Sequence, residues 1–200
     1  MLDVSEDSHE KKIQVYIFEN RTAWEEFKLN SAERLPGAEA YTSGDEIYIY
    51  RDPFFLAPQQ TLAHEITHVV VAHFLERIPP LFLNEGLAVF LSYKALALQA
   101  DGNEYAFHTV RLIEQENFIP LKTLISLKTY PDNPAYFYQE AELFTRYMVY
   151  TYGKKNFYRL LKETASGQDF GRALYEVYFT DAETLEEEFK KYALKPKNWL

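Results

Sequence analysis

The 200-residue sequence predicts an α+β, mostly helical protein with a small N-terminal β-sheet lobe and a helical C-terminal lobe. Segments with the alternating pattern of strands lie within the first 51 residues, and helical segments dominate the rest of the chain. Hydrophobic residues make up 47% and aromatic residues 16% of the sequence, which favours a folded core over disorder. The length suits a single domain over residues 1–200, in which the polar residues 1–11 are expected to be a flexible lead-in.

Three strands and one helix are predicted in the N-terminal lobe. Lys12–Phe18 alternates apolar and polar side chains and predicts the first strand. Thr22 is the expected N-cap of a helix over Ala23–Asn30. A hairpin through Ser43-Gly44-Asp45 is expected to join two further strands, Ala38–Thr42 and Glu46–Arg51.

The remaining segments predict helices. The first is expected to run to about Glu76, where Arg77-Ile78-Pro79-Pro80 breaks it, and the second covers about Leu81–Leu98. Thr180 and Glu183 are spaced as a capping box for the last helix. The other helices are predicted at about 103–116, 121–127, 135–152 (closed by Gly153), 155–165, 170–177 and 181–192.

The stretch His64-Glu65-Ile66-Thr67-His68 predicts a metal site on the first of these helices. Two histidines at i and i+4 lie about 40° apart around a helix and roughly 6 Å apart along it, so both can reach one cation. Zn²⁺ suits two neutral nitrogens and one carboxylate, with a fourth position left for water. Glu65 could take a proton from that water. The alternative is a metal-free helix that carries the same five residues.

Glu85, in the segment Leu83–Ala88, is the predicted third ligand. The proline break turns the second helix back on the first, so that Glu85 can face His64 and His68. A glutamate on an otherwise apolar helix needs a reason to be buried, because an unpaired buried charge is costly. The alternative is a surface glutamate favoured by the dipole near the start of a helix.

Together, the HEITH stretch, Pro79-Pro80 and LNEGLA resemble the gluzincin metallopeptidases. The resemblance is strongest to small peptidase MA-like domains related to the catalytic domain of aminopeptidase N, although Phe82 stands where tryptophan is common. Tyr138–Tyr147 and Tyr152-Gly153 also resemble the C-terminal helix of those domains. The resemblance implies a zincin-like fold, one Zn²⁺ per chain and hydrolysis of peptide bonds with Glu65 as the general base.

The same resemblance gives a role to a tyrosine. Related peptidases place a tyrosine here that donates a hydrogen bond to the oxyanion, and Tyr138 aligns with it, with Tyr136 as the second candidate. A purely structural Tyr138 stays an open alternative. A segment typical of exopeptidases is missing, so an endopeptidase is favoured. The rival function is a non-catalytic metal-binding or peptide-binding domain of the same fold.

Substrate is expected to bind extended along Ala38–Ser43 and to add a strand to the sheet edge, with Tyr41 and Ser43 near the metal. Other side chains should orient the two ligand imidazoles, and Glu140 is one candidate. His73 points away from the ligand face and is expected to be an ordinary helix histidine.

Composition limits the possible partners. The net charge of −9 makes nucleic acid and anionic membranes unfavourable partners. The expected partner is the peptide or protein substrate that the resemblance implies. Neither a membrane-spanning run nor a cysteine occurs in the sequence. Domains of this family often begin with a helix that is missing here. The chain is therefore expected to be trimmed or the mature part of an exported protein, although a cytoplasmic location stays open.

Overall fold

The computed structural model describes residues 12–30, 38–51, 58–75, 77–95, 109–114 and 117–195. It confirms the predicted class, because a small three-stranded N-terminal sheet precedes a mostly helical remainder. The expected lead-in and the predicted start of the helix at Asn103 lie outside these residues. The elements in chain order are β1 (Gln14–Phe18), α1 (Arg21–Asn30), β2 (Ala40–Ser43), β3 (Glu46–Tyr50), α2 (Pro58–Phe74), α3 (Leu81–Ala95), α4 (109–114), α5 (Leu121–Ser126), α6 (Pro134–Tyr152), α7 (Lys154–Ala165), α8 (Phe170–Tyr178) and α9 (Ala182–Ala193).

The sheet has the order β1-β3-β2, so β3 is central and β2 forms one edge. β3 runs parallel to β1 and antiparallel to β2, and the β2–β3 turn passes through Gly44 at φ +58°. One face of the sheet packs Ile47 and Ile49 against Val69 of α2. The other face carries Tyr48, whose ring stacks on Phe27 of α1 at 4.5 Å. The sheet is therefore covered by α1 on one side and by α2 on the other.

The helical lobe is built around α3 and α6, which approach each other closely at Gly86. A methyl group at Gly86 would overlap the carbonyl oxygen of Ala141 and come within 2.5 Å of Thr145 Oγ1. Both helices contribute to one core, which includes Phe82, Leu83, Phe137, Phe144 and Met148, all exposed by 1% or less. Burial on nearly every side explains why the α3 sequence is mostly apolar. Among the described residues, no helix combines the length and apolarity needed to cross a membrane.

Two predicted helix caps are wrong, and the reason is the same in both cases. Asn20, not Thr22, caps α1, because its side-chain oxygen accepts from the backbone N–H of Thr22 at 2.8 Å. Asp181, not Thr180 with Glu183, caps α9 by accepting from the N–H of Thr184 at 2.8 Å. An Asn or Asp oxygen at the preceding position reaches the free N–H groups of the first turn equally well.

Candidate metal centre

His64, His68 and Glu85 meet where α2 and α3 pack together. The two Nε2 atoms lie 3.0 Å apart, and Glu85 Oε2 lies 3.2 Å from His64 Nε2 and 3.6 Å from His68 Nε2. The histidines project from one face of α2, as their spacing predicts. The chain reverses after Pro79-Pro80, so Glu85 in the second turn of α3 faces them from the opposite side. Glu85 is only 4% exposed.

The geometry of these three atoms fits a small cation. Ligands at roughly 2.0–2.1 Å from a tetrahedral metal are separated by about 3.3 Å, and the three measured separations lie on either side of that value. Glu85 Oε2 is buried and makes no hydrogen bond of good geometry, although both imidazole nitrogens are close to it. One proton can bridge only two of these three atoms at a time, whereas a single cation could bind all three. Two histidines and a carboxylate are also a donor set that suits Zn²⁺.

The charge state of Glu85 is set by its histidine neighbours. Burial alone would raise the pKa of this carboxyl, but the closely approaching imidazoles of His64 and His68 outweigh it and lower the pKa to about 2. For His68, burial would lower the pKa, and the close carboxylates of Glu85 and Glu65 raise it instead. The site therefore holds an ionised carboxylate in a buried position.

Glu65 lies beside this centre, and a residue of the β-sheet holds its side chain. It is 7% exposed, and its Oε2 accepts a hydrogen bond from Thr42 Oγ1 at 2.5 Å. Thr42 is in the edge strand β2, which packs on α2. Sequence analysis placed this strand beside the metal helix but did not identify Thr42. The alternation of side chains along a strand points to Thr42, because only every second residue of β2 lies on the face that packs against α2.

The same alternation places Tyr41 and Ser43 on the sheet face opposite to Thr42, and their role in substrate binding stays a prediction. Tyr41 stacks with Tyr48 at 6.1 Å, on the sheet face that α1 covers. Ser43, two residues along the strand, belongs to the same face. The side chains of Tyr41 and Ser43 therefore point away from Glu65. Binding of a substrate along this edge stays a prediction.

Two tyrosines border the centre from the helical lobe. The ring of Tyr138, in the second turn of α6, lies edge-on to His64 at 6.3 Å. The hydroxyl of Tyr130, in the segment before α6, donates to Glu85 Oε1 at 2.9 Å. No local pattern in the sequence marks Tyr130. Tyr136, the second candidate for the oxyanion donor, is 40% exposed on α6.

A family model for the Peptidase MA superfamily matches residues 3–195 of the chain. The chain belongs to the Peptidase MA superfamily. No curated protein and no solved structure matches it. The match agrees, at the level of the superfamily, with the resemblance carried by the HEITH and LNEGLA segments.

In this Peptidase MA chain, Glu140 does not orient an imidazole. It is fully buried, and its two carboxylate oxygens accept from the backbone N–H of Ile119 at 3.0 and 3.2 Å. Burial raises the pKa of Glu140 to about 8. Asn84 is the better candidate, because Asn84 Oδ1 and His68 Nδ1 are both buried without a hydrogen-bond partner of their own, and Asn84 is near enough to His68 to help raise its pKa. A metal-bound histidine commonly donates its other ring N–H to such an acceptor.

His73 has a structural contact one turn beyond the ligand pair. Its Nε2 makes a short contact with Asp45 Oδ1 in the β2–β3 turn. The contact fastens the hairpin to the C-terminal turn of α2. Because the hairpin also carries Thr42, His73 and Asp45 help to keep β2 beside Glu65.

Proposed function

We propose that this chain is a zinc-dependent peptidase of the gluzincin type, with one Zn²⁺ held by His64, His68 and Glu85. The observation that carries the proposal is the triangle of ligand atoms with tetrahedral spacing, with a buried carboxylate, Glu65, on the next residue after the first histidine. Membership of the Peptidase MA superfamily supports it. A closer relationship to the catalytic domain of aminopeptidase N is part of the same proposal.

The chain's own residues divide the work of hydrolysis. A Zn²⁺ ion bound to the three ligands would polarise the scissile carbonyl and lower the pKa of a bound water. Glu65 accepts the proton of the attacking water and passes it to the nitrogen of the leaving amine. Thr42 occupies Oε2 of Glu65, which leaves Oε1 as the oxygen that takes the proton. Tyr138 donates its hydroxyl hydrogen bond to the developing oxyanion.

The substrate lies extended along the outer edge of β2 in this proposal. An edge strand presents main-chain N–H and C=O groups, which can pair with a peptide backbone whatever its sequence. β2 is an edge of the sheet and its Thr42 contacts the proposed general base, so a peptide paired with it would run past the metal centre. Pairing through the backbone suits an internal peptide bond, which favours an endopeptidase.

The first experiment measures zinc and turnover in the same preparations. Elemental analysis should find one Zn²⁺ per wild-type chain and a sharp loss in Glu85→Ala. Mass-spectrometric cleavage profiling of a peptide library should detect turnover that a chelator abolishes. Glu65→Gln should keep zinc and lose turnover, because glutamine preserves the shape but cannot accept the proton. Glu183→Gln, whose parent side chain is 84% exposed on α9, is the matched control.

Each possible result distinguishes the proposed function from a different alternative. Full zinc in Glu85→Ala would remove Glu85 from the ligand set. Loss of zinc in Glu65→Gln would make Glu65 a ligand or a structural partner. A wild-type chain that binds zinc but cleaves nothing would favour the non-catalytic metal-binding or peptide-binding domain. A wild-type chain without zinc would favour the metal-free helix.

A further inference from the structure

The two carboxylate oxygens of Glu85 have different partners, and Tyr130 is the partner of one of them. Its hydroxyl donates to Oε1 at 2.9 Å, while Oε2 faces the two imidazoles at 3.2 and 3.6 Å. Tyr130 reaches Glu85 from the segment between α5 and α6, far from it in the sequence. Half of the tyrosine surface is exposed, yet its polar end is directed at the buried carboxylate.

This division decides how the carboxylate can bind a metal. A carboxylate can coordinate with one oxygen or with both, and the second mode would use a position that a catalytic site keeps for water. A hydrogen bond on Oε1 favours coordination by Oε2 alone. The two histidines and one carboxylate oxygen then leave the fourth position open.

Tyr130 also contacts the proposed oxyanion donor. The rings of Tyr130 and Tyr138 pack together, with centroids 5.8 Å apart. Phe137 supports the Tyr130 ring edge-on at 5.9 Å. Tyr130 is therefore held by aromatic neighbours while its hydroxyl donates to Glu85.

We propose that Tyr130 is a positioning residue of the metal centre that restricts Glu85 to single-oxygen coordination. This inference rests on the proposed function, since it requires that Glu85 is a zinc ligand. Tyr130 takes no part in proton transfer and does not touch the metal. It acts through Glu85.

The test compares metal binding in Tyr130→Phe and in the wild type. Phenylalanine removes the hydroxyl and keeps the ring that packs on Phe137. Competition with a chromophoric chelator should show a Kd for Zn²⁺ about 10- to 100-fold weaker, as for other groups that hydrogen-bond metal ligands. Tyr175→Phe, at a tyrosine that is 63% exposed on α8, should keep the wild-type Kd.

The visible spectrum of the Co²⁺-substituted chain supplies a readout that a general loss of stability would not imitate. The wild type should give the strong bands of a four-coordinate ion, and Tyr130→Phe should give weaker bands as the second oxygen joins. A wild-type Co²⁺ spectrum in Tyr130→Phe would overturn the inference even if affinity fell. A wild type that binds neither ion would overturn the proposed function itself. In a chain that binds zinc without turnover, the affinity and the spectrum still decide the role of Tyr130.

Discussion

Thr42→Val tests whether the sheet positions the proposed general base. The substitution removes Oγ1 and replaces it with a methyl group of similar size, so β2 keeps a β-branched residue suited to a strand. The hydrogen bond lost is the 2.5 Å contact with Glu65 Oε2. Glu65 is 7% exposed, so water has little access to replace that partner.

The size of the effect follows from the kind of bond that is removed. A hydrogen bond to a charged group contributes about 1.5–3 kcal/mol. If that contribution is lost from the positioning of the base in the transition state, kcat should fall about 10- to 100-fold. KM should change little, because Thr42 faces Glu65 and the substrate pairs with the strand backbone.

The assay is the steady-state cleavage of a peptide found by profiling, with zinc content measured in each variant. Thr42→Ser is the matched variant, since it keeps the hydroxyl and should keep most of the wild-type kcat. Glu65→Gln gives the kcat expected when the general base is absent. The reasoning would be refuted by a wild-type kcat in Thr42→Val, or by an equal loss in Thr42→Ser.

Two further substitutions test the helical side of the centre. Tyr138→Phe should lower kcat by about 100-fold or more with little change in KM, as for the loss of one oxyanion donor, and kinetics of Tyr136→Phe should stay near wild type. Impairment of Tyr136→Phe alone would transfer the role to Tyr136. Gly86→Ala should lower the free energy of unfolding by about 1–3 kcal/mol, because the new methyl group overlaps the backbone carbonyl of Ala141. Denaturant unfolding measures this loss, and a more stable Gly86→Ala would show that α3 and α6 do not pack as described.

The parts of the fold and site that sequence could predict are those fixed by local spacing. The pair His64 and His68 needs only the helical repeat, and Glu85 needs only a second helix that returns after two prolines. Strand alternation limits the candidates on β2 to the face of Thr42, but the contacts of Thr42 and Tyr130 are with partners 23 and 45 residues away and depend on how the elements pack. The two helix-cap predictions were wrong for a local reason, since several neighbouring residues could each accept hydrogen bonds from the same N–H groups.

The two buried glutamates of the centre receive different roles from their positions on the helices. Glu65 follows His64 by one residue, so it projects about 100° around α2 from that histidine, toward β2 and the hydroxyl of Thr42. Glu85 enters from α3 on the side that the two histidines share, and its Oε2 faces both imidazoles. Each carboxylate has one oxygen held by a neutral hydroxyl, Thr42 for Glu65 and Tyr130 for Glu85, so the surroundings of the other oxygen distinguish them. The second oxygen of Glu85 faces two imidazoles, which suits a cation, whereas that of Glu65 is left for the proposed proton transfer. The proposed division between base and ligand therefore needs both the sheet and α3, with α2 between them to present one glutamate to one side and the histidines to the other.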